Sequence, residues 1–269
     1  MNTPKAIFMD IDGTLLSHSL KRVPKSAVEA LRCARENGIL LFAATGRSNI
    51  ELEEVACLGD IKLDGFVTLN GAYCYVGNEV VHKNPLPPAA VAAIVERLAH
   101  SPFPCIFCEE NKLYINMTND YVRELQKFLG LSIPPVCDPQ QALEADIYQL
   151  AVFATSKEEE AFLRSLPQTK ITRWAKDGFD VVNATTNKWT GILHVLMFLG
   201  IKPHEAAAIG DAENDVEMLV NAGYSVAMGN ADDNIKKCAD FVTSHVDDGG
   251  LAKAIKHLLF RNKSLEPRE

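Results

Sequence analysis

The chain has 269 residues, room for one large domain or two medium ones. Its 47% apolar content excludes a disordered polymer, and its net charge of −8 argues against nucleic acid or an anionic membrane surface as partner, since either would call for a basic face. No apolar run approaches the ~20 residues that span a bilayer. Met1 to Lys5 lead straight into a strand with no basic start or cleavage site, so no leader is expected. Seven cysteines at scattered spacings fit free thiols in a reducing cytoplasm. Cys105 and Cys108 form a CxxC, but in an extended run positions i and i+3 face opposite ways, which favours packing over metal or redox work.

Residues 6–9 are an apolar run of the kind buried on both faces of a parallel sheet. Asp10 and Asp12 follow, and Gly13 and Thr14 turn the chain. A helix entered through Val23-Pro24 carries Ala27, Val28, Leu31 and Ala34 as its apolar stripe and stops at Asn37-Gly38. A second apolar run over 39–44 ends in Thr45-Gly46-Arg47-Ser48. A helix follows through about Cys57, and a third strand over 65–69 ends in Asn70-Gly71. This β-α-β-α-β order predicts a parallel sheet with right-handed crossovers.

The rhythm then changes. Residues 73–76 and 79–82 flank Gly77-Asn78 as a hairpin, and Pro85, Pro87 and Pro88 mark a boundary. An α+β region is expected beyond them, with helices near 89–99, 121–129 and 157–166. Its strands are expected near 105–108, 112–116, 147–154, 171–175 and 179–183. Parallel rhythm resumes at Asn187 with a helix carrying Ile192, Leu193, Leu196 and Leu199. A strand over 206–209 ends in Gly210-Asp211, and a helix with Val216, Leu219 and Val220 follows. A strand over 225–228, a short helix over 232–238, the run Phe241-Val242-Thr243 and a helix over 251–260 complete the pattern. The expected organisation is a core of 1–83 plus 187–269 with a second unit, 84–186, inserted into it. No apolar stripe announces an interface, so a monomer or weak homodimer is the default.

Four strand ends or helix starts of the core carry polar residues that suggest chemistry. Asp10 and Asp12, at i and i+2 of an extended chain, point the same way and should converge at the carboxyl edge of the first strand, where open α/β sheets bind ligands. Thr45, Gly46 and Arg47 end the second strand, Lys188 precedes a helix, and Gly210-Asp211-Ala212-Glu213-Asn214-Asp215 joins a strand to a helix. Taken singly, each is ordinary: a DxDG turn, an N-cap, a solvated lysine, acidic residues at a helix start. Together, Asp10, Asp12, Asp211 and Asp215 crowd one edge with negative charge that a hard cation such as Mg2+ would resolve. Thr45, Lys188, Asn214 and helix N-termini suit a phosphoryl group, and the combination points to phosphoryl transfer.

Asp10-Ile11-Asp12-Gly13-Thr14-Leu15, Ala44-Thr45-Gly46-Arg47, Asn187-Lys188 and Gly210-Asp211-x-x-Asn214-Asp215 resemble, in order, the four motifs of the haloacid dehalogenase (HAD) superfamily. The insert after the third strand resembles the type C2B cap of its Cof-like phosphatase branch, as do Val226-Ala227-Met228-Gly229-Asn230-Ala231 and Ala239-Asp240-Phe241-Val242-Thr243. The resemblance implies a HAD-like Rossmannoid parallel sheet capped by an α+β unit. It also implies a Mg2+-dependent phosphatase acting on a small phosphate ester through an aspartyl-phosphate. Asp10 would be the nucleophile and Asp12 the general acid and base. Asp10, the Asp12 carbonyl, Asp211 and Asp215 would serve the metal. Thr45, Gly46, Lys188 and Asn214 would hold the phosphate, and Arg47 would reach a second group of the substrate. Asp180 and Asn183 are weaker candidates near the hinge. Trp189, where the family usually has a small residue, and Glu213 bear on specificity. A phosphotransferase or mutase on the same scaffold, or a non-catalytic binder of phosphorylated ligands, are the alternatives.

Overall fold

Residues 3–54, 61–153 and 156–260 are described by the computed structural model of the chain. The larger sheet takes β1 (Ala6–Met9), β2 (Leu40–Ala44), β3 (Gly65–Thr68), β4 (Tyr73–Val76) and β5 (Glu79–Lys83) from the first part of the chain. The smaller sheet holds β6 (Cys105–Cys108), β7 (Leu113–Ile115), β8 (Gln149–Phe153), β9 (Thr169–Ala175) and β10 (Gly178–Asn183). The chain then returns to the larger sheet with β11 (Ala206–Gly210), β12 (Tyr224–Ala227) and β13 (Phe241–Val242). The helices are α1 (Lys25–Glu36), α2 (Asn49–Glu54), α3 (Pro88–His100), α4 (Asp120–Leu129), α5 (Lys157–Ser165), α6 (Lys188–Leu199), α7 (Val216–Asn221), α8 (Asp233–Lys236) and α9 (Gly250–Phe260). The helix expected to run through about Cys57 continues into residues outside those described.

Strand order in the larger sheet is β13-β12-β11-β1-β2-β3-β4-β5, parallel from β13 to β3 and antiparallel at the β4–β5 hairpin. The chain builds outward from β1 in one direction through β2 and in the other through β11. The order therefore reverses at β1, and the crevice outside its carboxyl end is a natural ligand site.

Side-chain alternation makes this a three-layer core. Ile7, Met9, Leu41, Ala43, Ala207 and Ile209 pack on one face against α1 and α9. Their neighbours Ala6, Phe8, Phe42, Ala44, Ala206 and Ala208 pack on the other against α6 and α7. Because both faces are covered, the strands read as unbroken apolar runs.

The five-stranded sheet, β7-β6-β8-β10-β9, is antiparallel throughout. One face joins α3 and α5 in an apolar cluster. The other meets Leu69, Ala72 and Tyr73 of the β3–β4 connection. Cys105 belongs to the first cluster and Cys108 to the second, as the CxxC spacing in a strand requires. Cysteines among the described residues are all free thiols, and no helix among those residues is long and apolar enough to cross a membrane. One feature departs from the sequence reading: α6 exposes Leu193, Met197 and Phe198, because its other faces already cover the sheet and α7.

Candidate active site

The two-faced burial of β1, β2 and β11 places their carboxyl ends side by side, and the turns after them deliver Asp10, Thr45 and Asp211 to one corner. The fourth contribution comes from α6. Asn187 caps that helix, accepting the Thr190 N–H at 2.8 Å, and so fixes Lys188 as its first residue. Lys188 is fully buried, and its Nζ donates to Asp10 Oδ1 and Asp215 Oδ1, each at 2.6 Å. Burial disfavours a charged ammonium, but the two carboxylates outweigh it and raise the Lys188 pKa, so the group stays a cation.

Asp215 has no oxygen to spare. Its Oδ2 accepts the backbone N–H groups of Asp211 and Ala212 at 2.9 and 3.0 Å, which shapes the loop after β11. Asp211 accepts the Thr14 hydroxyl at 2.8 Å and the Asn230 amide at 3.0 Å. Gly13 makes that approach possible. Its φ is +84°, and a Cβ there would lie 2.3 Å from Asp211 Oδ2.

Carboxylate oxygens of Asp10, Asp211 and Asp215 lie within 4.8 Å of one another. One lysine cannot neutralise three clustered carboxylates, two of them buried. Burial first, and neighbouring carboxylates after it, push Asp10 well above the usual carboxylate range and raise Asp211 as well. An all-oxygen donor set with surplus negative charge fits a hard divalent cation.

Asp12 lies on the same side of the turn but outside this cluster. Arg47 grips it in a two-pronged pair, Nε to Oδ2 and Nη2 to Oδ1, both at 2.7 Å. Burial alone would lower the Arg47 pKa; the hydrogen bonds and charge of Asp12 raise it. Thr45 is buried, and its Oγ1 accepts the Arg47 backbone N–H at 3.1 Å, leaving its own O–H to donate.

A polar chain ties this corner to the smaller sheet. Asn214 Nδ2 donates to Asn70 Oδ1 at 3.0 Å, and Asn70 Nδ2 donates to Gln149 Oε1 at 2.9 Å and Asp180 Oδ2 at 2.8 Å. Gln149 Nε2 donates in turn to the Gly46 carbonyl at 3.0 Å. Gly46 sits so close beneath that a Cβ would come within 3.3 Å of Asn70 and Asp180.

Between the two sheets lies a cavity of about 400 Å³. Asp10, Asp12, Thr45, Gly46, Arg47, Asp211, Glu213 and Asn214 line it from the larger sheet. Gln149, Phe153, Trp174 and Asp180 line it from the smaller one, joined by Gln126 of α4.

Residues 7–255 match the family described as haloacid dehalogenase-like hydrolase. The chain belongs to that family. YkrA of Bacillus subtilis (strain 168), which carries a phosphatase name, is 32% identical over 255 residues, covering 94% of this hydrolase and 97% of its own length. The HAD subclass IIB sugar phosphatase BT4131 has a similar solved structure, with a TM-score of 0.87 at 38% identity over 94% of this hydrolase and 98% of that chain. BT1666 from Bacteroides thetaiotaomicron, described among the HAD phosphatases, has a TM-score of 0.85 at 31% identity, with 95% of each chain covered.

The HAD hydrolase's other sequence candidates are distributed as follows. Asp180 is in the cavity wall, whereas Asn183 does not line it and instead donates to the Pro85 carbonyl and accepts from Thr185. Trp189 packs against the apolar cluster beneath α6 and does not line the cavity. Residues that no motif announced are Asn70, Gln149, Gln126, Glu51 and His18. His18 lies 3.9 Å from Asp12 and stacks on Phe128 of α4. Asn70-Gly71 signalled only a turn, and Gln149 sits in an apolar strand whose partners are distant in sequence.

Proposed function

We propose that this HAD hydrolase is a Mg2+-dependent phosphatase of small phosphorylated metabolites, with Asp10 as its nucleophile. The observation that carries the reading is the buried Asp10 carboxylate, held by Lys188 at 2.6 Å on one oxygen and lining the cavity at the β1 edge. Asp10 attacks phosphorus and expels the leaving oxygen, forming an aspartyl-phosphate that water then cleaves. Asp12 gives a proton to the leaving oxygen and takes one from that water. Arg47 occupies both Asp12 oxygens, so at least one of these contacts opens when Asp12 carries a proton. The Thr45 hydroxyl, Gly46, Lys188 and Asn214 orient the phosphoryl oxygens.

Asp10, Asp211 and the Asp12 carbonyl would hold Mg2+, with Asp215 supporting from behind, since the chain already uses both its oxygens. Bound there, Mg2+ would withdraw charge from the phosphoryl oxygens. The phosphatase name of YkrA and the sugar phosphatase activity named for BT4131 support a phosphate monoester as substrate. We take residues 84–186 as the cap over a core of 1–83 and 187–269, and the free thiols as suited to a reducing cytoplasm. The test is hydrolysis of p-nitrophenyl phosphate with and without Mg2+. Turnover that requires the metal is expected, falling by about 10³-fold or more in Asp10→Asn. Purified protein with no metal-dependent turnover overturns the reading.

A further inference from the structure

Among the described residues that line the cavity, Arg47 alone buries a charged atom with no hydrogen-bond partner. The residue is 7% exposed. Its Nε and Nη2 are given to Asp12, but Nη1 meets no acceptor. Two carboxylates of the same wall are engaged elsewhere, Asp180 by Asn70 and Glu51 by Ser48. A buried guanidinium N–H without an acceptor is costly, so it marks where an oxygen of a ligand is held most strongly. The position of Arg47 says which oxygen that is. In an in-line displacement the leaving oxygen departs on the side of phosphorus opposite the attacking Asp10. Asp12, which protonates that oxygen, stands on the leaving-group side, and Arg47 is bonded to Asp12. Nη1 is one guanidinium edge and one hydrogen bond away from Asp12 Oδ1, about 5 Å. Hydrogen bonds converging from Asp12 and from Nη1 on one leaving group reach two oxygens about 3–4 Å apart, the separation found on neighbouring carbons.

We infer that Arg47 is a specificity residue: through Nη1 it binds an oxygen carried by the carbon next to the ester carbon of the leaving group. This rests on the phosphatase reading and says what the second group of the substrate is and where it stands. Nη1 requires an acceptor, which a hydroxyl, ring ether, carbonyl or carboxylate oxygen supplies equally well in kind. Phosphate esters whose neighbouring carbon bears only hydrogen or carbon leave Nη1 unpaired and are disfavoured. Phosphorylated methylene groups on aromatic rings fall in that class.

The test compares glycerol 3-phosphate with 3-hydroxypropyl phosphate, which keeps the chain length and the terminal hydroxyl and lacks only the oxygen next to the ester carbon. Each is assayed as a substrate and as a competitive inhibitor of p-nitrophenyl phosphate hydrolysis, and inhibition decides where an ester is not turned over. The glycerol ester should lead by about tenfold or more in kcat/KM or in inhibitory strength. In Arg47→Lys that lead should shrink to about twofold or less, because one ammonium cannot serve Asp12 and the substrate together. Both esters slow in that variant as Asp12 loses its two-pronged partner, so the ratio between them is the readout. An unchanged ratio would assign Nη1 to the transferring phosphoryl group and overturn the inference. Equal behaviour of the two esters with the parent enzyme overturns it without any variant, while leaving a phosphatase that turns over p-nitrophenyl phosphate. Absence of p-nitrophenyl phosphate hydrolysis overturns the phosphatase reading and the inference with it.

Discussion

Lys188 is one charge among three clustered carboxylates, Asp10 and Asp215 buried and Asp211 partly so, and that ratio governs what substitutions do. Lys188→Met keeps the volume and leaves Asp10 and Asp215 buried without their cation. Breaking a buried pair in this way costs about 3–5 kcal/mol, to be read in urea unfolding at neutral pH. Asp10→Asn has the opposite effect on stability, because it relieves like-charge crowding while removing the nucleophile. A variant that is inactive yet no less stable than the parent is the expected signature of a strained functional site. Asp12→Asn separates chemistry from binding: it should lower kcat less for p-nitrophenyl phosphate than for a sugar phosphate, whose alkoxide needs a proton to leave. Equal losses on both would remove Asp12 from the general-acid role.

At the scale of elements, the turn after β3 joins the two sheets. Leu69 and Asn70 have φ of +51° and +55°, a conformation that costs a leucine energy and that asparagine tolerates. The turn points Asn70 at Asn214, Gln149 and Asp180 together. Gln149→Ala breaks two of these links, including the one to the Gly46 carbonyl. It should cost about 1–3 kcal/mol of stability. It should also raise KM more than it lowers kcat, since the nucleophile is untouched; an unchanged KM would show that the link does not shape the cavity.

For the whole molecule, closure between the sheets makes stability depend on pH through Asp180. Burial is the main cause pushing its carboxyl up to about 7, with the charge of Glu51 adding to it. Hydrogen bonds from Asn70 and Trp174 and the charge of Lys188 oppose that rise. A carboxyl raised in the folded state binds its proton more tightly there than in the unfolded chain. Its contribution to stability is present below the ordinary carboxylate pKa and is lost as pH rises towards about 7. Asp180→Asn cannot titrate, so its melting temperature should gain on the parent's between pH 5.5 and 8.5. A difference that stays constant across that range would contradict the assignment.

The sequence by itself determined the larger sheet and its acidic corner. Strands buried on both faces read as unbroken apolar runs, helices read as 3.6-residue stripes, and Asp10, Thr45, Lys188 and Asp211 stand at ends that parallel topology must bring together. Only the tertiary structure decided how those groups are paired: Arg47 on Asp12, Lys188 between Asp10 and Asp215, Asn214 on Asn70. It also decided that Gln149 and Asp180 reach the site and that Trp189 does not. Periodicity records which face of an element is buried, a local property. Pairing depends on distances between side chains far apart in the chain, 178 residues for Asp10 and Lys188 and 197 for Thr14 and Asp211, and no local pattern encodes those.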